Sequence, residues 1–88
     1  MNYDVHYTED AHKALKKMDA VTSGTIISWI EKNLVGTDNP RRNGKALKGD
    51  LAGVWRYRVG DFRLFAKIED MRVVILILDV RNRRNAYR

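Results

Sequence analysis

Residues 55–65 read WRYRVGDFRLF, and this alternation of cations and apolar residues predicts a β-hairpin. Gly60-Asp61 fits a two-residue turn of the primed type, which fixes the pairing of the two strands and places Arg58 opposite Arg63. Because adjacent residues on a strand point to opposite faces, one face of the hairpin is apolar and the other is basic.

The two faces of this hairpin predict different environments. We expect the core to receive Trp55, Tyr57, Val59, Phe62, Leu64, Ala66 and Ile68. The other face carries Arg56, Arg58, Arg63, Phe65 and Lys67, with Glu69 at its far end. Like charges directly across a strand pair destabilise it, so Arg58 and Arg63 favour a phosphate bound between them. Phe65 and Lys67 are expected to contact nucleic acid, with the Phe65 ring stacking on a base. A solvated face without a ligand is the alternative.

The N-terminal part of the chain predicts one strand and two helices. Apolar residues alternate over residues 3–7, as in a half-buried strand. An amphipathic helix over Glu9–Met18 follows, with Thr8 as its N-cap. A second helix begins near Asp19 and stops at Gly36.

Three strands are predicted after the helices, at Gly53–Val59, Phe62–Glu69 and Met71–Asp79. The last contains an apolar run, Val73 to Leu78, which suits a central strand covered on both faces. The order predicts a single α+β domain over residues 1–88, with an N-terminal strand and two helices before a three-strand antiparallel meander. We expect the two helices to pack on one face of the sheet and to leave the other face free.

Two further segments add positive charge. Residues 37–49 hold the only proline and no acid after Asp38, so we expect a basic loop with RNA-binding side chains at Arg41, Arg42, Lys45 and Lys48. Residues 81–88 are predicted to form a polar tail with cations at Arg81, Arg83, Arg84 and Arg88. Tyr87 offers the tail a ring for stacking on a base. A frayed, solvated tail is the alternative.

The charge of the chain is unevenly distributed. Its 88 residues, enough for one domain, carry a net charge of +6. Residues 54–88 hold nine Lys or Arg against four Asp or Glu, a net of +5. An excess confined to one part of the chain is typical of a surface that binds a polyanion such as nucleic acid.

Composition also excludes several kinds of chemistry. The chain has no cysteine, which removes disulfides, Cys-ligated zinc and thiol catalysis. His6 and His12 lack a carboxylate cluster at metal-ligand spacing, so we interpret both as structural and expect neither metal nor cofactor. With no signal-like N-terminus and no apolar run of membrane length, we expect a cytoplasmic protein.

Taken together, these residues resemble the RelE/ParE toxins of bacterial toxin–antitoxin systems over nearly the whole chain. The resemblance rests on the order of elements and on three stretches: GKALKGDLAG at residues 44–53, WRYRVGDFRL at 55–64 and RRNAYR at 83–88. It implies a microbial-ribonuclease-like fold and, in the RelE branch, cleavage of messenger RNA in the ribosomal A site. In that reaction a ribose 2′-hydroxyl attacks the adjacent phosphate without a metal ion.

The resemblance implies catalytic roles for five residues. Arg56 and Arg58 stand where the RelE branch has basic residues that activate the nucleophile and hold the phosphate. Arg63 stands where an Arg stabilises the transition state, and Arg83 where an Arg assists the leaving oxygen. Tyr87 stands where a ring stacks on the nucleotide. Charge and strand pairing select the same positions.

Two departures from the family pattern leave the general base open. An Arg is effectively always protonated, so Arg58 is a poor proton acceptor, and Asn82 stands where many relatives carry His. Two alternatives to mRNA cleavage remain: a ParE-like inhibitor of DNA gyrase without nuclease activity, and an inactive toxin that serves only as a corepressor. All three functions predict an acidic antitoxin partner in a hetero-oligomer and no membrane association. The mRNA-cleaving function also predicts binding to the ribosome and mRNA.

Overall fold

The computed structural model describes residues 2–83 and assigns them two α-helices, a short 3-10 helix at Gly49–Leu51 and five strands. Strand β1 spans Asp4–Tyr7, helix α1 spans Glu9–Lys16 and helix α2 spans Ala20–Asn33. The remaining strands, β2 to β5, span Gly44–Ala46, Val54–Val59, Phe62–Glu69 and Val74–Asn82. No helix within this range is long and apolar enough to cross a membrane.

All five strands form one mixed sheet in the order β1-β5-β4-β3-β2. Strand β1 pairs with β5 in parallel, and the other three pairs are antiparallel. The predicted α+β architecture is therefore confirmed. Strand β5 lies inside the sheet, between β1 and β4, as its apolar run predicted.

The β3–β4 hairpin has the predicted register. Arg58 lies opposite Arg63, and Tyr57 lies opposite Leu64. Gly60 in the turn has a φ of 59°, a left-handed conformation that glycine adopts without strain and that a primed turn requires.

The core lies between the two helices and one face of the sheet. Helix α2 contributes the fully buried Ile26 and Ile30, and the sheet contributes Tyr57, Leu64 and Ile77. The Trp29 ring packs against the Tyr57 ring, with 5.8 Å between the ring centres. The opposite face of the sheet, which we call the open face, receives neither helix.

Side-chain caps set the starts of both helices: the cap at Thr8 was predicted, and the predicted start near Asp19 is capped by Asp19 itself. The Thr8 hydroxyl accepts a hydrogen bond from the Ala11 amide at 3.1 Å and donates to the Leu78 carbonyl at 2.7 Å, which ties α1 to β5. The Asp19 carboxylate accepts from the Thr22 amide at 2.9 Å. Helix α1 ends at Lys16, two residues before the predicted end.

Two predictions about the strands were wrong. Residues 44–46, predicted as part of a basic loop, form the edge strand β2, because three residues are too few to show an alternation and only their pairing with β3 defines them. The predicted strand Met71–Asp79 in fact spans Val74–Asn82, so Arg81 belongs to β5 and not to the tail. Val80 is buried opposite Leu64, which extends the strand beyond its apolar run.

Candidate nucleic-acid interface

Three arginines form one row across the open face. Arg58 on β3 lies directly opposite Arg63 on β4, and Arg63 lies directly opposite Arg81 on β5. Directly opposed residues have Cβ atoms about 5 Å apart, so the three arginine side chains leave the sheet next to one another. We call Arg58, Arg63 and Arg81 the arginine row.

The members of the arginine row differ in burial. Arg58 and Arg81 are exposed, whereas Arg63 has only 6% of its surface exposed. The sequence placed Arg63 on the correct face, which neither α-helix covers, but it did not predict that the Arg63 side chain is buried. Strand β4 is flanked by β3 and β5, whereas the hairpin alone leaves one side of Arg63 open. A buried guanidinium keeps its charge and acts on a nearby anion with less screening from water.

A second row lies beside the first. It crosses four strands through Lys45, Arg56, Phe65 and Asp79. Lys45 is exposed, and the other three are half-buried. Asp79 accepts a hydrogen bond at 2.7 Å from Nε of Arg81 and neutralises part of its charge. The two rows together place five cations and one acid on neighbouring positions.

Arg83 begins the C-terminal segment at the same side of the sheet. Its backbone amide donates to the Asp61 carbonyl at 2.7 Å, which holds this residue beside the β3–β4 turn. The Arg83 side chain is exposed. Of the predicted catalytic residues, the structure thus brings four to one end of the open face: Arg56, Arg58, Arg63 and Arg83. The fifth, Tyr87, and the predicted RNA-binding Arg84 and Arg88 lie outside the described residues.

The other predicted RNA-binding cations are placed less uniformly. Lys48 is exposed in the loop after β2, and Lys67 is exposed on the open face opposite Val54. Arg42 lies 3.5 Å from the Asp38 carboxylate, in an exposed ion pair. Such pairs contribute little to stability, so Arg42 can exchange its partner at low cost.

Arg41, in contrast, is held by an acid. Its guanidinium donates two hydrogen bonds to Asp70, at 3.2 and 2.7 Å, and lies over the Trp55 ring at 5.5 Å. The Tyr3 hydroxyl donates to the same carboxylate at 2.6 Å. The bonds from Arg41 and then Tyr3 lower the pKa of Asp70. The bond to Asp70 is also the main reason why the pKa of Tyr3 is raised. Arg41 therefore anchors the segment before β2.

Tyr57 anchors the same segment from the core. Its hydroxyl donates to the Pro40 carbonyl at 2.6 Å, and burial raises the pKa of Tyr57 to about 12. Gly44 lies opposite Tyr57, and a Cβ there would approach Cε1 of the Tyr57 ring to 2.9 Å. Strand β2 can therefore lie this close to the core only with glycine at residue 44.

The open face also carries an apolar patch that the sequence reasoning missed. Leu51, Val54, Phe65 and Leu78 surround a shallow cavity of about 270 Å³, with Asp79 and Arg81 at its rim. A β-bulge between the partners of Phe65 and Ala66 shifts the register of β5, which gives this strand an extra residue at Leu78. The sequence signal for this patch was the unbroken apolar run of β5, because half of the side chains in a strand have to face away from the helices.

A larger cleft of about 580 Å³ lies where β2, β3 and the end of α2 meet. Its lining combines cations, amides and one aromatic ring, without an acid: Trp29, Asn33, Asn43, Gly44, Lys45, Arg56 and Arg58. Asn33 and Asn43 were not among the predicted site residues. The sequence offered no signal for them, because the end of α2 and the residue before β2 meet only in the folded chain.

This arrangement can hold a chain of phosphates. The cations of the two rows can bind phosphate oxygens and stabilise negative charge that develops on one phosphate, whereas none of them is a proton acceptor at neutral pH. Half-exposed rings at Trp29 and Phe65 provide flat apolar surfaces beside them. Within residues 2–83, His, Asp and Glu form no group of three that could hold a metal ion.

Comparisons with known proteins agree with the fold and with the resemblance. A family described as "ParE toxin of type II toxin-antitoxin system, parDE" matches residues 5–87. Toxin RelG of Mycobacterium tuberculosis is 32% identical over 88 residues, which cover 100% of this chain and 99% of that protein. Toxin RelE of the same organism is 29% identical, covering 98% and 87%. The crystal structure of the toxin–antitoxin complex RelBE2 from that organism contains a chain with a TM-score of 0.86 and 29% identity, covering 97% and 95%.

Proposed function

The chain belongs to the RelE/ParE family of type II toxins, and from that premise we propose that it is an endoribonuclease that cleaves messenger RNA in the ribosomal A site. The observation that carries the proposal is the arginine row, in which Arg58, Arg63 and Arg81 share one face without a helix over it. A surface that only inhibits another protein does not require three adjacent guanidinium groups. A phosphate under attack is stabilised by such a row, because its negative charge increases in the transition state.

The reaction that fits these residues is an internal transfer. The ribose 2′-oxygen forms a bond to the adjacent phosphorus, the bond from phosphorus to the 5′-oxygen breaks, and the products are a 2′,3′-cyclic phosphate and a 5′-hydroxyl. Arg58 and Arg63 stabilise the pentacoordinate phosphate, and Arg83 assists the departing oxygen. The 2′-hydroxyl proton leaves to a group other than these arginines, and the departing 5′-oxygen takes up a proton from water. Positioning by the ribosome supplies the alignment of the attacking oxygen.

Primer extension on translated messages tests the proposal. The protein is added to a cell-free translation reaction, and we expect new 5′ ends within codons, which Arg58→Gln and Arg63→Gln each reduce by about a hundredfold. Arg72→Gln is the matched control, because Arg72 is an exposed arginine in an ion pair with Glu69, outside the arginine row. No new 5′ ends with the wild-type protein, or undiminished cleavage by both row variants, would contradict the proposal.

A ParE-like inhibitor of DNA gyrase is the second candidate, because the matching family is described by the ParE toxin. The same purified protein would then block supercoiling by gyrase and leave translated mRNA intact. A supercoiling assay in parallel with primer extension separates the two candidates.

For the partner, we infer an acidic antitoxin that covers the open face. A relative of this chain was crystallised in a toxin–antitoxin complex. On this chain, the apolar patch formed by Leu51, Val54, Phe65 and Leu78 is bordered by Arg81 and lies beside the cation rows. An amphipathic acidic segment would match both. We expect its affinity to fall as salt is added, and an affinity independent of salt would indicate a mainly apolar contact.

A further inference from the structure

The structure points to a base-reading subsite next to the proposed phosphate site, and this inference rests on the proposed function. We propose that Asn33 and Asn43 bind an unpaired RNA base that carries an exocyclic amino group, adjacent to the phosphate held by Arg56 and Arg58. Adenine, cytosine and guanine carry such a group, and uracil does not.

Position is the first argument. Asn33 and Asn43 line the cleft of about 580 Å³ together with Arg56 and Arg58. They also line an adjoining cleft of about 380 Å³ between the end of α2 and the segment before β2. The two clefts share both amides, and we call them together the groove; the second cleft also contains Asp38, which is ion-paired with Arg42. A single strand whose phosphate lies on Arg56 and Arg58 can place its next nucleotide in this groove.

Charge and shape support a nucleotide as the occupant. The first cleft has Lys45, Arg56 and Arg58 in its lining and no acid. The half-exposed Trp29 ring forms an apolar wall, and it is held in place by its contact with Tyr57. A flat apolar wall beside cations suits a base that remains attached to its phosphate, because bases stack on aromatic rings irrespective of sequence.

The amide orientations give the proposed preference. Nδ2 of Asn33 donates a hydrogen bond to the Trp29 carbonyl at 2.9 Å. Because the partner is a carbonyl oxygen, the NH2 group of the Asn33 amide has to face it. This bond fixes the amide, so that Oδ1 of Asn33 remains as an acceptor for the ligand. The exposed Asn43 side chain forms no hydrogen bond with the part of the chain that the structure describes, and it can supply both a donor and an acceptor. An acceptor on the groove wall favours bases with an amino group, because the amino N–H bonds project from the ring edge, whereas the single N3–H donor of uracil lies between two carbonyl oxygens that repel the acceptor.

Cleavage of a designed message library tests the subsite. Each position that flanks the cut is varied, and ends are counted by sequencing. At one flanking position we expect the wild-type protein to favour amino-bearing bases over uracil by about tenfold or more, the range of a good base contact. Asn43→Ala and Asn33→Ala should bring this ratio close to one.

Thr25→Ala is the matched control. The Thr25 hydroxyl donates to the Val21 carbonyl at 2.9 Å on the same helix, as Asn33 does to Trp29, but it lies outside the groove. This variant should retain the wild-type ratio. A wild-type ratio near one at every flanking position, or an unchanged ratio in both Asn variants, would overturn the inference while mRNA cleavage itself stands.

A binding measurement keeps the inference testable if the protein does not cleave mRNA. Fluorescent oligoadenylate and oligouridylate of equal length are titrated with wild-type protein and with Asn43→Ala. We expect tighter binding of oligoadenylate to the wild-type protein and equal binding of both oligonucleotides to the variant. Equal affinities for the wild-type protein would overturn the subsite.

Discussion

On the helix-covered face of the sheet, Tyr57, Leu64 and Ile77 are fully buried, whereas the opposite face of the same strands carries Arg58, Arg63 and Arg81 in a row. Both faces are built by the same alternation along β3, β4 and β5. The apolar face releases free energy when the chain folds. The arginine face accumulates like charge on folding, which is unfavourable until an anion binds. The comparison shows that stability and ligand binding are assigned to opposite faces of one sheet.

The largest effect is expected on the helix-covered face. Leu64→Ala removes a fully buried side chain from β4, and the cavity should cost about 2–5 kcal/mol of unfolding free energy. Lys67→Ala on the same strand, exposed on the open face, should change it by less than about 0.5 kcal/mol. Urea unfolding of both variants checks this contrast, and equal losses would contradict the division between the faces.

On the open face, stability and activity should separate. Arg58→Gln should slow mRNA cleavage by about a hundredfold, because it removes a charge that stabilises the phosphate transition state. The free energy of unfolding should stay constant or rise by a few tenths of a kcal/mol, since one like-charge contact is relieved. Cleavage rates and urea unfolding are measured on the same preparation. A loss of stability comparable to that of Leu64→Ala would show that Arg58 is a structural residue.

The pH dependence of unfolding tests the burial of Tyr57 on the helix-covered face. Burial raises the pKa of Tyr57 to about 12, above the value of about 10 in an unfolded chain. The resulting stabilisation is therefore complete below about pH 10 and is lost as the pH rises towards 12. Between about pH 10 and 12 the midpoint of thermal unfolding should fall, and Tyr57→Phe should reduce this fall. An identical decline in the variant would assign it to other groups.

The smallest effect is expected at the cluster in which the exposed Arg41 and Asp70 meet the hydroxyl of the buried Tyr3. Hydrogen bonds from Arg41 and Tyr3 lower the pKa of Asp70, so this stabilisation is present above about pH 4 and is lost as the pH falls further. Asp70→Asn should lower stability slightly at neutral pH and flatten the acid side of the profile. Thermal unfolding of both proteins from pH 2 to 7 measures how stability depends on pH. The same loss of stability at acid pH in the variant and the wild-type protein would leave the cluster without a stabilising role.

Local patterns were sufficient to predict the hairpin and the helix starts. The turn at Gly60-Asp61 determines the register of β3 and β4, and Thr8 and Asp19 have the side chains that cap helices. The burial of Arg63 was not predictable from the hairpin alone, because it requires β5 as a second neighbour.

The site residues that were missed depend on contacts between distant segments. Strand β2 has three residues and no alternation, so the sequence did not reveal that Asn43 and Gly44 line a cleft beside Arg56. Asn33 reaches the same cleft from the end of α2. Only the assembled sheet brings these residues together with the cations that the sequence did predict.

Side-chain NMR of the arginines during titration with a single-stranded oligoribonucleotide tests the division between the faces most directly. The Nε–Hε signals of Arg58, Arg63 and Arg81 should shift as RNA is added, and those of Arg72 and the backbone amides of α1 should remain in place. Largest shifts at Arg72 or along α1, or no shift in the arginine row at millimolar RNA, would contradict the assignment of the open face to RNA binding.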